Sequence, residues 1–160
     1  MQIPFSELPS HSRVWIYQSS RAFTKDELLN IEVASRNFLT KWTAHGSELK
    51  AGVDFRYDRF IILGLNESIQ SASGCSIDAS IRFIQSIEDD FNVMLLDKMN
   101  VTYKKKEQIQ YIPLKEFRKM AKKKQISSSC IVFNNLVLDK GEYETQWEIP
   151  ASSSWHSRYF

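Results

Sequence analysis

Cys75 is the residue whose type and setting most readily suggest chemistry. It ends a run of small residues in "SASGCSIDAS", residues 71–80, just where an amphipathic helix begins. A thiol at a helix N-terminus feels the partial positive charge of unpaired amides, which favours thiolate. Gly74 lets a ligand approach the backbone, and His45 in "WTAHG" is the nearest candidate for a base or orienter. The amides of Cys75, Ser76 and Ile77 would then serve as an oxyanion or anion cradle. Asp78 opposes this, because a carboxylate in the first turn suits the helix dipole and repels a bound anion. The plainer reading is that cysteine is simply small enough for a turn and Ser76 caps the helix. A protonated His45 would likewise serve only to stabilise the end of the preceding helix.

A second chemistry is electrostatic. "YKKK" at 103–106 supplies Lys104, Lys105 and Lys106, and "FRKMAKKK" at 117–124 is a second basic run. On a short helix, Lys115, Arg118, Lys119, Lys122 and Lys123 share a positive surface suited to phosphate backbones or an acidic partner. The competing reading is a solvated face with Leu114, Phe117 and Ala121 turned inward. The net charge of only +2 favours that reading and counts against nucleic acid. Arg21, in the loop 18–21, joins Gly74, Ser76 and Asp78 as a ligand-binding candidate.

Other chemistries lack their motifs. The three histidines and two cysteines are scattered, without C-x-x-C or H-E-x-x-H spacing, so no metal and no cofactor is expected. There is no G-x-x-x-x-G-K-[ST] loop and no G-x-S-x-G elbow. The C-terminal "WEIPASSSWHSRYF" is rich in aromatics. Trp147, Trp155, Tyr159 and Phe160 fit a protein or homodimer contact, or equally ordinary core closure by a C-terminal arm, in which His156 is a plain tail residue whose neighbours pack on the body.

These residues must be held by elements that the pattern foretells. "RVWIYQ", 13–18, reads as a strand after an irregular lead-in. Thr24 and Glu27 form a capping box and Phe23 with Leu28 a hydrophobic staple. They open a helix carried by Leu28, Ile31, Ser35, Phe38 and Trp42 that stops at Gly46. Strands over 49–57 and 59–65 make a hairpin about Tyr57 and Asp58, with "FIILGL" as a buried central strand. Ile77, Ile81, Ile84, Ile87 and Phe91 mark the second helix. A hairpin over 101–105 and 108–112, a helix over 114–123 opened by Pro113 and a strand over 130–136 follow.

This order predicts an α+β fold with a mostly antiparallel sheet and two main helices on one face. The first part is a ferredoxin-like split βαβ unit, extended by a hairpin, helix and strand. In that topology His45, Cys75, Asp78 and His11 share one edge of the sheet, while the loop 18–21 lies on the other. With no repeat and no long linker, 1–160 reads as a single domain.

Of the 160 residues, 42% are apolar and 25% charged, which is ordinary for a soluble globular protein. Two cysteines are too few for a disulfide framework, no secretory signal opens the chain and no run is apolar enough for a membrane span. A reduced, cytoplasmic protein is expected. The segments "VWIYQSSRAFT", "KWTAHG", "SGCSIDASIRFI", "VFNNLV" and "WEIPASSSWHSRYF" resemble a small bacterial family of uncharacterised proteins whose members carry the label ABC transporter ATPase. A subunit of that class needs a Walker A loop and a signature segment, and neither is present. The resemblance implies no activity or catalytic residue. The leading expectation is a non-catalytic module binding a protein or a small anion. A thiol enzyme built on Cys75 and His45 comes next, and nucleic-acid binding through 104–124 third.

Overall fold

Apolar residues on both faces of one strand organise the first half of the chain. The computed structural model describes residues 1–160. Its contacts gather in two compact units, Met1–Leu96 with Leu138–Gly141, and Asp97–Val137 with Glu142–Phe160. The sequence carries no composition break at these boundaries, which is why it reads as one domain. Both units combine helices with antiparallel strands, the α+β class that the order of elements predicts.

In the first unit β1 (Arg13–Gln18) is followed by α1 (Lys25–Lys41). A small hairpin of β2 (Thr43–Ala44) and β3 (Ser47–Glu48) comes next, then β4 (Lys50–Arg56), β5 (Phe60–Asn66) and α2 (Gly74–Phe91). The sheet order is β1-β5-β4, antiparallel throughout. Strand β5 is central, and its residues alternate between two cores. Ile61, Leu63 and Leu65 pack with Ile31 and Leu39 of α1 and with Ile84 and Ile87 of α2. Phe60 and Ile62 point the other way and are equally buried.

That second face is covered by the lead-in, which is less irregular than its prolines suggest. Gly52 and Gly64 are register partners on β4 and β5. A Cβ on Gly52 would lie 2.8 Å from the Ile3 carbonyl oxygen, and one on Gly64 would lie 2.6 Å from Leu8 Cδ1. The paired glycines therefore make a dent into which residues 3–8 settle. Lys140 pins this strap: its ammonium donates to the carbonyls of Leu8 at 2.7 Å and Ser6 at 3.1 Å and sits over the Phe5 ring.

The Thr24–Glu27 capping box forms as the sequence predicts. Helix α1 nevertheless ends at Lys41, not Gly46. His45 and Gly46 both have positive φ, 51° and 78°, and form the two-residue turn of the β2–β3 hairpin. That is a primed turn, in which glycine at the second position is the expected residue. Helix α2 is capped by Ser73, whose hydroxyl accepts from the Ser76 amide, so Ser73 and not Ser76 is the N-cap.

The second unit holds β6 (Asn100–Lys105), β7 (Gln108–Pro113), α3 (Leu114–Lys122) and β8 (Ile131–Phe133). Helix α4 (Lys140–Gln146), whose first two residues belong to the first unit, and β9 (Glu148–Pro150) follow. The sheet order is β7-β6-β8-β9. The strand expected to follow α2 in the first sheet is thus β6, and it belongs here, paired on both sides. The first sheet instead gains a single antiparallel bridge, Arg13 to Asp139, beside β1. The core of the second unit is Val101, Tyr103, Phe117, Val132 and Ala151, closed by Trp155 and Tyr159.

Candidate functional site

Two hollows, one in each unit, contain some of the residues singled out by the sequence. The first lies where α1 ends and α2 begins. Its volume is about 430 Å³, and Phe38, Lys41, Trp42, His45, Ser73, Cys75 and Ser76 contribute to its wall. Trp42 fixes the geometry. Its indole nitrogen donates to the Ser76 carbonyl at 2.8 Å in a buried bond, tying the start of α2 to the end of α1. Phe38 stacks flat on Phe83 at 4.6 Å. His45 and Cys75 thus line one hollow, without Asp78 or His11, and Cys75 is an exposed free thiol.

The remaining thiol chemistry has little to work with. No hydrogen bond joins His45 to Cys75. Two of the three amides proposed as an anion cradle are already used: Ser76 N–H donates to the Ser73 hydroxyl at 3.1 Å, and Ile77 N–H to the Ser73 carbonyl at 2.9 Å. Ser76 is buried, and its own hydroxyl closes the reciprocal half of the cap, accepting from Ser73 N–H at 2.6 Å. A cap that satisfies its own orphan donors leaves few for a ligand. Gly74 faces open space, with nothing within 4 Å of a Cβ placed there. Asp78 is exposed and outside the hollow wall. His11 is also exposed, its Nε2 3.4 Å from the Ser68 hydroxyl in the loop after β5.

Arg21 is committed to structure. It makes a two-pronged pair with Glu27, at 2.8 and 2.9 Å, and donates to the Phe91 carbonyl at the end of α2 at 2.7 Å. The guanidinium and the Thr24 amide together hold the Glu27 carboxyl down at about 2. The side chain joins the start of one helix to the end of the other rather than waiting for a ligand.

The second hollow is larger, about 960 Å³, and is electropositive. Lys115, Arg118, Lys119, Lys122 and Lys124 bring five cationic side chains to its wall, and no Asp or Glu side chain lines it. Helix α3 explains the arrangement. Phe117 and Ala121 are buried, so positions 115, 118, 119 and 122 fall together on the solvent side. Ser127 and Ser128 complete the polar wall, and the rings of Tyr159 and Phe160 the apolar one. Arg118 lies over the Tyr159 ring at 5.5 Å. Glu116, at 3.8 Å from Lys119, makes only a long, exposed pair with it.

The other basic candidates stand outside this hollow. Lys104 is ion-paired with Glu148. Lys105 and Lys106 are exposed at the β6–β7 turn, and Lys123 is exposed at the end of α3. The aromatic tail mostly serves its own unit. Trp147 is buried against Phe133 at 4.9 Å. His156 is buried, 2.7 Å from the Ser154 hydroxyl, stacked on Trp155 at 3.8 Å and edge-on to Phe117 at 5.6 Å. Desolvation lowers its pKa from 6.5 to about 4, so at neutral pH it is an uncharged core residue. Sequence reasoning found the lysines but missed Ser127, Ser128 and the two rings as parts of the same wall. Short-range pattern carries no signal for that closure.

No group of three His, Cys, Asp or Glu side chains converges as a metal site would require, and no helix is long and apolar enough to cross a membrane. Comparison with family models, with curated proteins and with solved structures finds no match.

Proposed function

We propose that the protein is a non-catalytic binding module, and that the basic hollow of its second unit takes an anionic ligand. One observation carries this reading: five cations and two serines surround a hollow of about 960 Å³ to which no acidic side chain contributes. Like charges crowded on one wall repel one another, and a bound anion relieves that repulsion. The thiol reading has less support, since Cys75 has neither a bonded base nor a free amide cradle. The free cysteines fit a reducing compartment such as the cytoplasm. The β1-β5-β4 order fits three strands of a split βαβ sandwich in the first unit. The resemblance to the small bacterial family remains part of this proposal and adds no chemistry to it.

Titration calorimetry with tripolyphosphate at about 50 mM salt tests the reading, because screening by salt is then modest. Binding is expected, with Arg118→Glu and Lys119→Glu each weakening it roughly tenfold or more. Absence of binding, or binding indifferent to both reversals, overturns it.

A further inference from the structure

A simple inorganic anion makes no use of the rings in this hollow. Phe160 is 44% exposed although its ring is wholly apolar. It stands edge-on to Phe117 at 6.0 Å and 81°, and Tyr159 does the same at 6.5 Å and 76°. Phe117 itself has no exposed surface, so both rings are braced against the core of the unit. A braced, exposed ring among cations is the arrangement on which a nucleobase stacks while its phosphates are neutralised. The cations are also too widely spread for a single phosphate. Lys115 and Lys122 are seven positions apart on α3, about 10 Å along the helix axis, with Arg118 and Lys119 between them.

We propose that the ligand is single-stranded nucleic acid, its backbone tracked by Lys115, Arg118, Lys119 and Lys122 and a base stacked on Phe160 beside Tyr159. The proposal rests on the anion-binding reading and narrows it to one class. A single strand is favoured over a duplex because stacking needs an open base face, which pairing and stacking within a duplex conceal. No planar donor–acceptor set lines the wall to read base edges, so recognition is expected to tolerate any sequence.

The test is fluorescence anisotropy with an oligothymidylate of about twelve nucleotides, the length range that such grooves cover. Tripolyphosphate, a duplex of equal length and polyglutamate are the comparison ligands. Expected are binding whose logarithm falls with the logarithm of salt at a slope of about −3, as for four neutralised phosphates, and no dependence on base sequence. Phe160→Ala is expected to weaken the oligonucleotide about 5- to 100-fold and to leave tripolyphosphate unchanged, while Phe160→Tyr restores binding. Lys115→Glu with Lys122→Glu weakens both ligands. An oligonucleotide that binds no better than tripolyphosphate and ignores Phe160→Ala overturns the nucleic-acid proposal and leaves anion binding standing. Tighter binding of the duplex or of polyglutamate also overturns it. Failure of every anion to bind removes both readings.

Discussion

Acidification should weaken the second unit through His156, and the size of the effect can be worked out. The imidazole is 1% exposed and lies between Trp155 and Phe117, with its Nδ1 on the Ser154 hydroxyl. Its folded-state pKa is about 4, against 6.5 when solvated. The folded chain therefore holds this proton less tightly than the unfolded chain does. Stability is full above pH 6.5, falls as the pH drops through the interval to about 4, and levels off below it. The whole displacement corresponds to about 3 kcal/mol, of which about 2 kcal/mol is lost by pH 5. The assay is urea unfolding of wild type and His156→Phe at neutral pH and near pH 5, followed through amide signals of the second unit. The variant loses the Ser154 bond at every pH, about 1 kcal/mol, but should lack the extra loss on acidification. Titration of the ring protons gives the pKa directly. A ring titrating near 6.5, or parallel losses in the two proteins, refutes the reasoning.

Two further outcomes are expected. Gly52→Ala should cost about 2–3 kcal/mol in chemical unfolding and Gly64→Ala about 1–2 kcal/mol. The new methyl at 52 meets the backbone of Ile3 and Phe5, whereas at 64 it meets side-chain atoms that can give way; equal costs would show that the strap is not held as described. Cys75→Ser should leave thermal stability within about 0.5 kcal/mol, since the thiol is exposed and bonded to nothing, and a larger loss would give it a structural role.

What the sequence disclosed depended on the span of the interaction. Thr24 and Glu27 were readable because both halves of the cap lie within one helical turn. The Tyr57–Asp58 turn was readable too, bounded by two strands whose apolar residues left no other break, and both residues have positive φ. His45–Gly46 reads as a helix end in the sequence because a two-residue strand on each side is too short to show alternation. The sequence leaves the cap of α2 ambiguous because serine stands at both 73 and 76 and either satisfies the pattern; the structure uses Ser73. The strand expected over 130–136 shrinks to Ile131–Phe133, with Asn135 and Leu136 already turning. Helix α4 went unseen, since seven residues with one buried aromatic show no period. At the candidate site the cationic face of α3 was legible from helical spacing. The rings of Tyr159 and Phe160 were not, because they come to α3 from nearly forty positions away.

The strap over the paired glycines bears on the order of events at the ribosome. Residues 5–8 settle on a hairpin made some fifty positions later, and their carbonyls are gripped by Lys140, 132 and 134 positions downstream. Domains commonly fold from the N-terminus as the chain emerges. Here the unit that is started first cannot be finished until residues 138–141 have left the exit tunnel. Until then the strap is tied to β4 only near its start, by bonds such as Ile3 N–H to the Ala51 carbonyl, and the dent at Gly52 and Gly64 lacks its Lys140 clamp through the synthesis of most of the second unit.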